Sequence, residues 1–137
     1  MIRADYIEVE RTDRDNFVVM DDDEAVGYLQ FYNVHPKWMD AYGFSHDEAP
    51  SVFGMDLFIG DAEAWGKGMG SAFVAGAAEY LVRERGASRI FVDPYVWNVR
   101  AIRAYEKAGF RKVRLVPEKE LHEGTWQDAW LMEYRAV

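Results

Sequence analysis

The glycine run in the segment "AWGKGMGSAF", residues 64 to 73, constrains the fold more than any other feature of this sequence. Gly66, Gly68 and Gly70 occupy alternate positions, Lys67 lies between two of them, and an apolar pattern with helical spacing follows. Glycine in a helix interior costs roughly 1 kcal/mol relative to alanine, so three glycines at a helix start indicate a special backbone geometry. Such a turn directs several N–H groups at one point, where the helix dipole favours an anion. The segment therefore predicts either a phosphate-binding turn or merely a tight strand-to-helix turn.

The composition indicates a single globular domain over residues 1–137. The chain is 50% hydrophobic, which is enough for one core, and it contains no apolar window as long as a membrane span, so we expect neither a membrane span nor a secretory leader. It has no cysteine, which excludes disulfides, thiolate metal sites and a cysteine acyl-enzyme. A formal net charge of -8 disfavours nucleic acid or an anionic membrane as partner and suits a cationic ligand. We expect a soluble, cytoplasmic protein without a metal, since His35, His46 and His122 lack metal-ligand spacing.

Hydrophobic periodicity predicts a mixed α/β sheet in which strands and helices alternate through the middle of the chain. In the strand over 53–60, Phe53, Met55 and Leu57 share one face, and Asp56 lies on the other. Asn98 is a favoured helix N-cap. The predicted strands are 16–20, 25–34, 53–60, 89–93, 113–117 and 126–134, and the predicted helices are 68–84, closed by Gly86, and 98–107, closed by Gly109.

A second segment, "DPYVWNVRAIRAYEKAGF" at residues 93 to 110, decides between the two explanations of the glycine run. Together with "GMD" at 54 to 56 and "GKGMG" at 66 to 70, it resembles the GNAT acetyltransferase superfamily, and within it most closely the aminoglycoside 6'-N-acetyltransferases. The resemblance covers about residues 16 to 134. It implies a GNAT-type mixed, mostly antiparallel central sheet flanked by helices, here with a shortened N-terminal region, and acetyl-CoA as co-substrate.

The same resemblance implies where the cofactor binds. The pyrophosphate is expected on the amides of the glycine turn, and Asn98 and Tyr105 are expected beside the pantetheine and the sulfur. Ser71 either adds a hydroxyl to the phosphate site or only caps the helix. The expected cofactor-binding residues are Phe58, Ile59, Gly60, Trp65, Gly66, Lys67, Gly68, Met69, Gly70, Ser71, Asn98, Ala101 and Tyr105.

Acetyl transfer to a primary amine needs a base for the ammonium, a donor to the oxyanion and an acid for the thiolate. Asp56 is the first candidate base, because desolvation in mid-strand favours proton uptake; a paired or capping aspartate is the alternative. Asp93 either shares the proton work and binds a second ammonium, or only ends its strand. Tyr105 is the candidate acid, against the reading of a core tyrosine. We expect the backbone N–H of Phe58 to meet the oxyanion.

The long segment over 35–52 is a candidate acceptor-binding loop. Trp38, Tyr42 and Asp40 combine aromatic faces with a carboxylate, which suits a polyamine or amino sugar, and a flap over a dimer interface explains them equally well. With Asp56 and Asp93 they form the predicted substrate site, and a homodimer whose partner completes the acceptor pocket reconciles both readings.

These observations predict an N-acetyltransferase that moves the acetyl group from acetyl-CoA directly to a small cationic amine in a ternary complex. The alternatives are acetylation of a protein N-terminus or lysine, and a non-catalytic CoA-binding module.

Overall fold

One twisted sheet organises the computed structural model, which describes residues 2–5, 15–21, 24–59, 69–122 and 124–136. Its strand order among these residues is β1-β2-β3-β4-β5-β7-β6, and every neighbouring pair is antiparallel except β4 and β5. The strands are β1 (Ile2–Asp5), β2 (Asp15–Asp21), β3 (Glu24–Asn33), β4 (Val52–Ile59), β5 (Arg89–Val92), β6 (Arg111–His122) and β7 (Thr125–Arg135). The mixed, mostly antiparallel sheet expected from the sequence is confirmed.

Helices cover this sheet, and their ends follow the predicted signals. They are the short α1 (Met39–Tyr42), α2 (Met69–Arg85) and α3 (Val99–Lys107). The Asn98 side chain accepts the Ala101 N–H at 3.3 Å, as an N-cap does. Gly86 and Gly109 follow α2 and α3 with φ of 67° and 103°, a backbone conformation that side chains with a Cβ disfavour.

The two faces of the sheet carry separate hydrophobic cores. Phe53, Met55 and Leu57 of β4 point toward α2 and α3, and they form the larger core with residues such as Leu81 and Ile102. The alternating face predicted for this strand is thereby confirmed. On the opposite face, segment 34–51 packs against the sheet through a smaller core composed of Val34, Phe44, Val52, Phe91 and Leu131.

Three features differ from the sequence-based expectations. β6 and β7 are longer than the predicted 113–117 and 126–134, because β-bulges in β6 absorb the interruption around Pro117. Strand β1 was not predicted, since four residues give too little periodicity. The loop over 35–52 contains two 3-10 turns, Pro36–Trp38 and Ala49–Ser51, in addition to α1. None of the helices in the described ranges combines the length and apolar character that a bilayer crossing requires.

Strands β4 and β5 diverge halfway along β4, and this divergence creates the candidate site. They pair only over Val52 to Gly54, whereas β4 stays paired with β3 up to Ile59. Beyond β5 the chain follows β7 instead, because Trp130 N donates to the Pro94 carbonyl at 2.9 Å and Val96 N donates to the Asp128 carbonyl at 3.0 Å. Among the residues that the structure describes, the second half of β4 therefore has no strand neighbour on its β5 side.

Candidate active site

The gap between the diverging strands is a cleft of about 290 Å³, which we call the β4–β5 cleft. One wall is the second half of β4, and the other is formed by the segment after β5 and the start of α3. The cleft is lined by Met55, Asp56, Leu57, Phe58, Asp93, Pro94, Tyr95, Asn98, Ala101 and Tyr105. The three expected catalytic residues, from three distant parts of the sequence, thus line the same cavity.

Asp56 presents its carboxylate on the sheet face opposite to the larger core. Gln30, directly across on β3, donates from Nε2 to Asp56 Oδ2 at 2.7 Å. Asp56 remains partly accessible, while Gln30 is buried. A neutral amide thus helps to hold the carboxylate at the lining of the cleft.

Tyr105 fits both of the readings proposed for it. The residue is only 6% exposed, belongs to the larger core and packs against Phe110 with ring centroids 5.7 Å apart. It also lines the β4–β5 cleft. Burial, followed by the charges of Asp56 and Asp93, raises the pKa of the Tyr105 phenol well above its ordinary value of 10.0. The phenol is therefore protonated throughout the neutral range.

Asp93 joins this cleft to a second cavity of about 220 Å³, which we call the side pocket. The side pocket is lined by Trp38, Ala41, Tyr42, Asp93, Arg114, Val116, Pro117 and Leu131. Burial, then the charges of Asp93 and Asp56, raise the pKa of Tyr42 to about 12, while Arg114 acts in the opposite direction. The charges of Asp56 and Asp93 therefore raise the pKa of a phenol in each cavity, Tyr105 in the cleft and Tyr42 in the side pocket. The two cavities are electrostatically coupled.

The register of β4 corrects the expected oxyanion donor by one residue. Val34 N donates to the Val52 carbonyl at 3.0 Å, and Ser88 N donates to the Ser51 carbonyl at 2.8 Å. Since alternate residues direct their N–H groups to opposite strand edges, the Phe58 N–H points toward β3, where its register partner is Tyr28. The N–H of Leu57 faces the gap left by β5. Leu57, rather than Phe58, therefore directs its backbone N–H toward the cleft side of β4.

The expected acceptor residues separate in the structure. Trp38 and Tyr42 line the side pocket together, with ring centroids 6.0 Å apart. Asp40 is exposed on α1 and is not among the residues that line either described cavity. The carboxylates at these cavities are consequently Asp56 and Asp93.

Most of the glycine turn lies outside the described residues, and with it Gly60, Trp65, Gly66, Lys67 and Gly68. Ile59 ends β4 and Met69 begins α2. Gly70 is buried in the first turn of α2 and Ser71 is half-buried. Asn98 and Ala101 line the β4–β5 cleft as expected. The role of the glycine turn in cofactor binding therefore stays a prediction.

The sequence analysis did not predict three of the residues at the site. Gln30 lies on β3 and Tyr95 follows β5. The alternation of these strands indicated which face a residue takes, but not which residues it meets there. Arg114 lies one strand beyond β7, in register with Leu131, so only the sheet topology brings it to the side pocket. Within the described residues, no three or more His, Asp or Glu side chains are grouped as a metal site would need.

Comparisons with known proteins agree with this geometry. A family model described as an acetyltransferase (GNAT) domain matches residues 2–117. An aminoglycoside N(6')-acetyltransferase type 1 from Klebsiella pneumoniae is 35% identical over 96 residues, which are 70% of this chain and 47% of that protein. A kanamycin resistance protein from Rhizobium radiobacter is 35% identical over 91 residues, covering 58% of this chain and 84% of that protein. The chain thus spans about half the length of the Klebsiella relative.

Solved structures show the same arrangement of strands and helices. The aminoglycoside acetyltransferase AAC(6')-Ib in complex with paromomycin and acetyl-CoA superposes with a TM-score of 0.66 at 29% identity, over 90% of this chain and 65% of that chain. A spermidine N-acetyltransferase chimera from Vibrio cholerae gives a TM-score of 0.71 at 20% identity, over 89% of this chain and 67% of that chain. The second similarity concerns the fold alone.

Proposed function

Because this chain belongs to the GNAT acetyltransferase family, we propose that it transfers the acetyl group of acetyl-CoA to a primary amine of a small cationic acceptor. The observation that carries this proposal is the β4–β5 cleft, into which Asp56, Asp93 and Tyr105 converge. The solved relative with acetyl-CoA bound supports the choice of donor. The proposed transfer is direct and takes place in a ternary complex.

We assign acetyl-CoA to the unpaired edge of β4 and the glycine turn. Peptide groups on the open edge of β4 can hydrogen-bond the amides of the pantetheine arm as a neighbouring strand would. Beyond β4, the turn amides and the N-terminus of α2 would meet the pyrophosphate. At the other wall, Asn98 Oδ1 accepts from Ala101 N, and the NH2 group of the same side chain can donate to the cofactor.

The reaction begins when Asp56 takes a proton from the acceptor ammonium, with the second carboxylate of Asp93 attracting the cation into the cleft. The freed amine attacks the thioester carbonyl, and the Leu57 N–H donates to the resulting oxyanion. The carbon–sulfur bond then breaks, and Tyr105 donates its proton to the departing thiolate. The nitrogen loses its second proton to water, Asp56 returns the first one to water, and the Tyr105 phenol is reprotonated from water. The amide product and free CoA leave the site.

The charge of Asp56 couples the first and last proton transfers. This charge is among the causes that raise the pKa of Tyr105, so an ionised Asp56 makes the phenol a weak acid. When Asp56 takes up the proton of the acceptor, its negative charge is lost and the phenolic proton is held less firmly. Tyr105 thereby becomes a better acid at the stage when the thiolate leaves.

The acceptor is proposed to enter by the side pocket, past Trp38 and Tyr42, and to meet the two aspartates. An amino sugar is favoured by the aminoglycoside relatives, and a polyamine is the other candidate small amine. We also propose a homodimer in which a second copy completes the acceptor wall. Light scattering tests the dimer, and a fully active monomer would argue against it.

The deciding experiment measures release of the CoA thiol from acetyl-CoA with amino sugars, polyamines and lysine peptides as acceptors. We expect release with small amines and not with peptides, and Tyr105→Phe should lower turnover about 10²-fold without weakening acetyl-CoA binding. Release only with peptides would favour a protein acetyltransferase. Binding of acetyl-CoA without release to any acceptor would favour the non-catalytic module.

A further inference from the structure

The side pocket contains a cationic side chain beside its carboxylate, which is unexpected for a site that receives polycations. Arg114 of β6 lines it beside Trp38, Tyr42 and Asp93. The guanidinium lies close enough to the Tyr42 phenol to oppose the effect that Asp93 and Asp56 have on it. A ligand in this pocket would therefore meet a cation as well as the carboxylate.

A second cation lies over the ring of Trp38, one of the residues that line the pocket. Lys37 Nζ lies 5.4 Å from the centroid of the Trp38 ring, a distance at which an ammonium interacts with the ring face. Trp38 is 40% exposed, so this contact lies at the surface. A ligand ammonium would have to displace Lys37 from that face or remain beside a like charge.

The two cavities thus differ in the charged side chains that line them. The β4–β5 cleft contains two carboxylates, and the side pocket adds a guanidinium on the wall formed by β6. We propose that the side pocket selects acceptors whose far end is an anion, a carboxylate foremost, which Arg114 binds while the reacting amine lies between Asp56 and Asp93. This inference rests on the proposed function and names its substrate class as amino acids of the ω-amino type rather than polyamines.

The size of the side pocket agrees with such an acceptor. Its volume is about 220 Å³, and a water molecule in the liquid takes up about 30 Å³. The pocket therefore has room for several heavy atoms, such as a short aliphatic chain with a terminal carboxylate. Val116, Pro117 and Leu131 provide apolar surface for the chain, and Arg114 offers a planar pair of donors to the carboxylate.

A matched series of amines tests the proposal, because its members differ only at the far end. The series is 6-aminohexanoate, hexylamine and 1,5-diaminopentane, which present a carboxylate, a methyl group and an ammonium after the same five methylenes. We expect kcat/KM for acetylation to fall in that order, with the carboxylate and the ammonium separated by about tenfold or more. The readout is CoA thiol release for each amine under the same conditions.

Substitution of Arg114 assigns the preference to one side chain. Arg114→Gln should reduce the ratio of kcat/KM between 6-aminohexanoate and 1,5-diaminopentane to near that of an uncharged site, and Arg114→Glu should invert it. Arg83→Gln makes the same charge change on the outer face of α2, where Arg83 is exposed, and should leave the ratio as in the wild type. The control separates a local effect from a change in net charge.

The outcomes distinguish this inference from the function on which it rests. Transfer to the amines with a ratio that Arg114 variants do not alter would overturn the inference and leave the acetyltransferase proposal standing. A preference for 1,5-diaminopentane in the wild type would do the same. If none of the three amines nor any member of the wider acceptor panel is acetylated, the proposed function itself fails.

Discussion

The two ends of the β4–β5 pair differ in the groups that contact their carboxylates. At the paired end, the Glu133 carboxylate lies between Arg89 and Arg135, and Arg89 also donates to Glu48 and to the Gly43 carbonyl. We call Glu48, Arg89, Glu133 and Arg135 the base cluster. At the diverging end, Asp56 accepts from the neutral amide of Gln30, and its charge acts on the phenols of Tyr42 and Tyr105.

Within one sheet, the charged residues at the paired end therefore stabilise the fold, and those at the diverging end act on a ligand site. In the base cluster each charge is neutralised by a neighbour, which ties segment 43–48 to β5 and β7. In the cleft the carboxylates exert their field on groups that a ligand would approach. An ammonium bound there would bring a positive charge close to both carboxylates, whereas the positive charges of the base cluster come from protein side chains.

The largest expected effect is the loss of stability when the base cluster is broken. Glu133 is 2% exposed and Arg89 is 8% exposed, so Glu133→Gln leaves a buried guanidinium without its principal counter-charge. We expect the free energy of unfolding to fall by about 3–5 kcal/mol, measured by urea denaturation. Glu79→Gln is the control, because Glu79 pairs with Arg83 on the exposed face of α2 and should cost less than about 1 kcal/mol.

The same residue predicts how stability depends on acid. Burial alone would raise the pKa of Glu133, but hydrogen bonds from Arg135 and Arg89 and their charges lower it below the ordinary 4.5. A lowered pKa in the folded state contributes stability above the unfolded pKa that is lost as pH falls through the folded one. The wild type should therefore lose stability below about pH 4.5 more steeply than Glu133→Gln. Parallel acid profiles would contradict the role assigned to the base cluster.

At the cleft, removal of one charge should affect activity and leave stability nearly unchanged. Asp56→Asn keeps a side-chain oxygen that can accept from Gln30, but it cannot take a proton from the acceptor. We expect kcat to fall by about 10²-fold, with acetyl-CoA affinity by calorimetry within about twofold of the wild type. Glu106→Gln makes the same charge change on the exposed side of α3 and should be as active as the wild type. If Asp56→Asn is as active as the wild type, a residue other than Asp56 must be the general base.

Close packing at the point of divergence gives a smaller effect. A Cβ on Gly54, the last β4 residue paired with β5, would lie 2.3 Å from Cε2 of the Tyr32 ring. Gly54→Ala should therefore destabilise the protein by about 1–3 kcal/mol. When Tyr32 is already alanine, the same Gly54→Ala substitution should cost much less. Gly76→Ala in α2 is the control, and we expect it to change stability in the opposite direction, since nothing lies within 4 Å of its added Cβ. It should stabilise by up to about 1 kcal/mol.

The paired and the diverging ends also differ in how far the sequence predicted them. Periodicity and turn residues were sufficient for the buried face of β4, for α2 with Gly86 after its end and for α3 with its caps. The strand pattern also indicated the face of Asp56, whereas Asp93 and Tyr105 were selected through the resemblance to the GNAT superfamily. Periodicity was insufficient for Arg114 and Gln30, whose positions depend on strand order and register. The Phe58 amide was assigned wrongly for the same reason, because the direction of an N–H depends on which pairs in β3 and β4 are hydrogen-bonded.

The smallest expected effect is an alkaline loss of stability that originates at the cleft and side pocket. Burial and the charges of Asp93 and Asp56 raise the pKa of Tyr42 from 10.0 to about 12. A raised pKa in the folded state gives stability that is fully present below the unfolded pKa of about 10 and is lost as pH rises through the folded value. Tyr105 follows the same sign at still higher pH.

Tyr42→Phe should therefore weaken the dependence of unfolding free energy on pH between about 10 and 12, by at most about 1 kcal/mol because solvent screens a half-buried phenol. Urea denaturation at several alkaline pH values, with tyrosinate absorbance followed in parallel, provides the measurement. Neutralising Asp93 with Asp93→Asn should lower the pKa of Tyr42 and shift its titration toward pH 10, since one of the charges that oppose ionisation is removed. If Tyr42 titrates at the same pH in Asp93→Asn as in the wild type, the aspartates do not act across both cavities, and the contrast with the self-neutralised base cluster is lost.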